Sequence, residues 1–342
     1  MRQHGRYSGP ASAVALLLGA VLGCSLSDTK KPAAEWTKAR KVAGREQKLS
    51  HVSGLAVDDR FAYVTIGGTV ADQQEGTSGL RKVALDTGAV TVLDDGANLP
   101  QSETGGIAAD DRFIYWNAGG KIMRVPKDGG KPEVVAPENV GIGVDLVVDG
   151  ERVYWANHSY YSPNSPTLPS PIYAVAKQGG KPEVFADAQN VPASLVADER
   201  FVYWLTQGGI MKQAKSGGQQ QPQAVFRVSD KEGVGELAQD ADNLYFGFRP
   251  AGESRWSLRK VSKQGGEPQT LVKTFSLKPV VVDDANVYFF DENGLTSDLL
   301  CRVSKQGGDV AKIDNGYASG VIAQGKAAVY VASLDDIYSF AK

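Results

Sequence analysis

One unit recurs along this chain, and it leaves little freedom in the fold. An acidic turn residue is followed five positions later by Tyr, and a Gly-Gly pair comes further on. The clearest copies join Asp110, Tyr115 and Trp116 to Gly129-Gly130, Asp149, Tyr154 and Trp155 to Gly179-Gly180, and Asp198, Tyr203 and Trp204 to Gly217-Gly218. Looser copies begin at Asp58 (Tyr63), Asp240 (Tyr245, Phe246, Gly265-Gly266) and Asp283 (Tyr288, Phe289, Gly307-Gly308). A last, degenerate copy has Gly325 in the Asp place before Tyr330. That makes seven units. Successive starts are 52, 39, 49, 42, 43 and 42 residues apart.

Within residues 105–136 the unit reads as four short strands. Gly106-Ile107-Ala108-Ala109 runs into the turn Asp110-Asp111-Arg112. Phe113-Ile114-Tyr115-Trp116 is β-branched and aromatic, as strands are. Lys121 to Val125 alternates, and Lys127-Asp128-Gly129-Gly130 supplies the positive φ of a tight turn. Lys131 to Ala136, with Pro132, suits an exposed outer edge. Four strands per period of about 40–50 residues is the signature of a propeller. The fold class is therefore all-β, a seven-bladed β-propeller of four-stranded antiparallel blades.

The chain ends point to a closed ring. The last unit has strands at 320–323, 328–332 and 336–340 but no fourth. Lys38 to Ala43, ahead of the first unit, resembles the fourth strands 131–136 and 181–186. The N-terminal strand is thus expected to complete the last blade and remove an exposed edge. The aromatic series is expected to pack blade on blade. The Asp series is expected to cap tight turns through its side chains.

Residues 1–23 read as a signal segment. Arg2 and Arg6 precede an apolar run, Ala11 to Leu22, too short to span a bilayer. Val21-Leu22-Gly23-Cys24 resembles the lipobox of bacterial lipoproteins, with Leu22 departing from the usual small residue. The resemblance implies lipidation of Cys24, a polar tether over 24–37, a propeller domain over 38–342, and location in the cell envelope. Ser25 after the cysteine favours the outer membrane. Cys301 is then alone, at the repeat position of Met123 and Met211, with a core role expected. A net charge of −2 gives no electrostatic ground for a nucleic-acid partner.

The Tyr-Trp pairs after acidic turns, with the Val-Pro-Lys-Asp-Gly-Gly and Val-Ser-Lys-Gln-Gly-Gly turns, resemble propeller repeats of the Tyr-Trp-Thr-Asp type and related bacterial lipoproteins. The Thr-Asp half is absent, replaced by Asn117-Ala118, Ala156-Asn157 and Leu205-Thr206. The resemblance implies the fold and a binding-platform role, and it transfers no functional residue.

Candidate sites lie where the units differ. The second-to-third connections vary in length, at 65–79, 156–171 and 247–256. The longest carries Asn157, His158, Tyr160 and Tyr161 among four prolines, a stiffened presentation of polar and aromatic groups. His51, just before the first unit, could reach the same face. Four residues before the turn position stand Gly54, Gly106, Asp145, Ser194, Glu236 and Pro279. Asp145 and Glu236 are oxygen donors suited to Ca²⁺ or Mg²⁺; no other cofactor is expected. No His-Glu-x-x-His, Gly-x-Ser-x-Gly or phosphate-cradling loop occurs. The leading expectation is a monomeric, lipid-anchored envelope protein that binds a protein or glycan. The alternatives are a metal-assisted lactonase or lyase using Asp145, Glu236 and His51 or His158, and a structural subunit of an envelope assembly.

Overall fold

The computed structural model describes residues 39–67, 79–96, 104–118, 120–137, 143–157, 170–216, 221–292, 298–313 and 320–342. The strands form seven four-stranded antiparallel sheets. Blades 1 to 6 take residues 52–94, 104–136, 143–189, 193–227, 233–274 and 278–313, each in simple sequence order. Blade 7 combines the strands of 321–341 with Arg40–Ala43, which lies beside Asp336–Ala341. Arg40 stands opposite Ser339 and Ala43 opposite Ile337. The N-terminal strand therefore completes the last blade, as the sequence predicts. Among the described residues the one helical stretch is a 3₁₀ turn at Arg45–Gln47.

The first strands of neighbouring blades touch one another in a closed cycle. They line the channel, and the fourth strands are outermost. The hydrophobic core is divided among the seams between blades. Seven apolar clusters occur, each joining two adjacent blades. The Tyr of one blade and the following aromatic of the next share a cluster: Tyr63 with Trp116, Tyr115 with Trp155, Tyr154 with Trp204. Tyr203 with Phe246 and Tyr245 with Phe289 continue the series. Alternation along the second strand sends these two neighbours to opposite faces, so one pair serves two seams. Trp116, Trp155 and Trp204 are fully buried, and removing one such side chain costs about 3–5 kcal/mol. Cys301 lies opposite Phe289 in the same register as Met123 opposite Trp116. It is buried, and that burial pushes its thiol up to about 12, as befits a core residue.

Candidate functional site

The two faces of the ring differ in kind. On one, the turns after the first and third strands meet in a repeated ionic seam. Each turn Asp accepts backbone N–H bonds from the residues two and three positions on, as Asp198 does from Arg200 and Phe201 at 2.9 Å each. Its other oxygen accepts from the Tyr five positions on, at 2.9 Å from Tyr203. The same oxygen takes a Lys from the next blade. The pairs are Lys127–Asp58, Lys177–Asp110, Lys215–Asp149, Lys263–Asp198, Lys305–Asp240 and Lys342–Asp283. Desolvation acts to raise Asp198, but the Lys263, backbone and Tyr203 hydrogen bonds outweigh it and hold the carboxyl down at about 2. The Asp ring is thus turn cap and inter-blade clamp together. Lys127, Lys177, Lys215, Lys263 and Lys305 each stand two residues before a Gly-Gly pair, a periodicity present in the sequence.

The other face carries the second-to-third and fourth-to-first connections and opens into a cavity of about 1210 Å³. Every blade contributes to its wall, including all six positions Gly54, Gly106, Asp145, Ser194, Glu236 and Pro279. They reach the channel because the first strands bulge at this level. Register slips between Val52 and Gly54, Thr104 and Ile107, Gly143 and Leu146, Ala193 and Val196, Gly235 and Leu237, and Lys278 and Val280. A bulge inserts an unpaired residue and re-aims its side chain. At Ser194 and Glu236 the inserted residue is left-handed, with φ of 52° and 48°. Such a conformation costs a non-glycine residue about 1–3 kcal/mol and concentrates at functional positions.

The bulges link three blades. The Ser194 backbone N–H donates to the Asp145 carboxylate, and the Ser194 hydroxyl accepts from the Leu237 N–H at 2.8 Å. The chain of bonds stops at Glu236. At the same level the next blade presents Pro279, which has no N–H to donate. Among the described residues none hydrogen-bonds the Glu236 carboxyl. Desolvation, followed by the charge of Asp145, raises it to about 7, with Lys278 partly opposing. A half-buried carboxyl at that value exchanges protons near neutrality and can accept from a hydroxyl or donate to a carbonyl.

A cation stands on the same wall. Arg249 closes the second strand of blade 5, opposite Gly233. Its guanidinium lies 5.4 Å from the centre of the Trp256 ring. A Cβ on Gly233 would come within 3.3 Å of Trp256 Cη2 and 3.4 Å of Arg249 Nε, so this glycine leaves room for both. Among the described residues no carboxylate pairs with Arg249. Sequence reasoning missed it, because no repeat position or motif marks it.

The other candidates lie elsewhere. His51 is at the seam of blades 7 and 1, its N–H donating to Asp335 Oδ1 at 3.2 Å, and it is not in the cavity wall. Asn157 ends the second strand of blade 3, opposite Gly143. His158, Tyr160, Tyr161 and Cys24 are outside the described residues. Asp145 and Glu236 do share the cavity, but among the described residues no group of three His, Cys, Asp or Glu side chains is placed to hold a metal ion.

No family model and no curated protein sequence matches the chain. Solved structures match it at low identity. An oligogalacturonate lyase from Vibrio parahaemolyticus is 10% identical with a TM-score of 0.64, covering 89% of this chain and 96% of its own. A streptogramin B lyase is 11% identical with a TM-score of 0.64, covering 88% and 96%. BamB from Moraxella catarrhalis is 13% identical with a TM-score of 0.51, covering 89% and 97%. At such identities the likeness is one of fold alone, and the fold is common to lyases and to BamB.

Proposed function

We propose that this is a cell-envelope binding protein, held to the outer membrane through a lipidated Cys24, whose channel-mouth face takes a protein or glycan partner. The observation that carries this reading is the contrast between the faces. One is tied by ion pairs and tight turns and holds a cavity of about 540 Å³ between blades 1 and 2, while the other opens into one of about 1210 Å³ walled by all seven blades. Variable connections on a rigid scaffold are the usual carriers of recognition. BamB supports the reading as a propeller that is not named for a reaction. The test fills the mouth. Asn190 and Gln207 are exposed on the cavity rim and bonded to each other at 3.1 Å. Replacing both with Trp, or excising residues 158–169, should abolish capture of the partner from envelope extracts without lowering the melting temperature. Unchanged capture by both variants would overturn the assignment of this face.

A second reading rests on Glu236. A carboxyl at about 7 beside a second carboxylate in a deep cavity is suited to proton transfer, as in a lyase or lactonase. Turnover lost in Glu236→Gln with binding retained would favour it over the binding role.

A further inference from the structure

We propose that the channel mouth recognises an acidic oligosaccharide, with a ring carboxylate on the Arg249 guanidinium and a ring hydroxyl on the Glu236 carboxyl. The inference deepens the binding role proposed for this face and rests on it.

Three features select the ligand class. The first is the pairing of opposite polar demands in one cavity. Arg249 is a planar donor fork without a carboxylate partner among the described residues, held over Trp256. A guanidinium of this kind matches a carboxylate bidentately. Glu236 needs a donor, because none among the described residues bonds its carboxyl. A sugar acid carries both a carboxylate and hydroxyl donors on one ring. An acidic peptide satisfies Arg249 but brings few hydroxyls. A phosphate dianion likewise satisfies Arg249 but brings a single hydroxyl for Glu236.

The second feature is spacing. Arg249 pairs with Gly233, three residues before Glu236 on the same strand, and that strand bulges at Glu236. The two groups thus occupy separate places on one wall, which suits an extended ligand that carries carboxylates and hydroxyls along its length, as an oligosaccharide does. The third is volume. At about 1210 Å³ the cavity is larger than most small-molecule pockets, which span about 300–1,000 Å³. The free Ser194 hydroxyl hydrogen adds a donor on the same wall, since its oxygen already accepts from Leu237.

Calorimetry with trisaccharides of galacturonate, glucuronate and mannuronate, each beside its fully methyl-esterified form, tests the inference. At least one free acid should bind, its ester at least tenfold more weakly. Arg249→Met should remove that difference by weakening the acid alone, and Arg249→Lys should restore part of it. Arg249 is exposed, so these variants should fold, which a thermal melt verifies. Equal binding of acid and ester, or full binding by Arg249→Met, would overturn the inference. So would a lack of binding across the panel. In that case, loss of envelope capture in the rim-Trp variant would leave the binding face standing and only the ligand class wrong. If neither assay responds, both fail.

Discussion

At the scale of single residues, two carboxyls at opposite ends of the blades respond to pH in opposite directions. Asp198 sits at about 2 when folded, below its ordinary 3.8. A depressed carboxyl stabilises the fold above its unfolded value, and that gain is lost as pH falls through the folded one. Lys263→Met should therefore cost about 1–3 kcal/mol at pH 7, between the values for exposed and buried pairs. The deficit should shrink toward zero between pH 4 and pH 2, as urea midpoints would record. Glu236 is the reverse case, raised from 4.5 to about 7. Here the folded state holds the proton more tightly, so charging the group destabilises the fold as pH rises from 4.5 to 7. Glu236→Gln should match the parent at pH 4, gain stability over it through that window, and keep a constant advantage above pH 7. A parent already as stable as the variant at pH 8 would mean that a donor satisfies the carboxylate.

At the scale of elements, turns and seams were legible because their chemistry repeats. The Asp turns, the Tyr-aromatic pairs and the closing role of Arg40 to Ala43 could be read from spacing, since each copy checks the others. The channel level could also be read, as all six residues four before the turn line the cavity. What lay hidden was what one blade does to the next. That Glu236, beside Pro279 of the next blade, is left without a donor depends on contacts between units. The contact of Arg249 with Trp256 lies within blade 5, at positions that the repeat does not mark. No periodicity within a unit encodes these. The same holds for close approach of strands. Gly209 opens the third strand of blade 4 with φ of 126°, and a Cβ there would fall 2.1 Å from the Phe226 carbonyl oxygen on the fourth. Gly266, with φ of 111°, has nothing within 4 Å of its missing Cβ. Gly209→Ala should cost about 3–5 kcal/mol, from strain plus displacement of the outer strand. Gly266→Ala should cost about 1 kcal/mol, from backbone strain alone. Equal losses in thermal melts would show that the outer strand yields freely.

At the scale of the whole ring, the seam between blades 7 and 1 is built differently from the other six. The turn acid is Gly325 there, and the facing lysine position holds Leu85. The equivalence of Leu85 is fixed by its N–H, which bonds Arg60 O just as the Lys127 N–H bonds Arg112 O. Both partners of the ion pair are thus replaced together, which leaves no unpaired buried charge. Leu85 instead packs with Tyr330, Val42 and Ala43 in one apolar cluster. The N-terminal strand adds the fastening that the ion pair would have given. Arg40 donates across the seam to the Leu85 carbonyl at 2.6 Å, and Lys41 pairs with Asp336 at 3.0 Å within blade 7, holding the strand to its neighbour. Closure here relies on a strand that enters from the far end of the sequence, while the other six seams join blades adjacent along the chain. Deleting residues 36–43 should therefore lower the melting temperature by about 5–10 °C, since it removes buried Val42 and Ala43 and bares a sheet edge. Hydrogen exchange should locate the damage. Amides of Asp336–Ala341 and Ala328–Ser333 should lose protection first, while the second strands of blades 2 to 5 keep theirs. Loss spread evenly over all seven blades would mean that the ring stands or falls as one unit, and that the seventh seam is as strong as the ionic six.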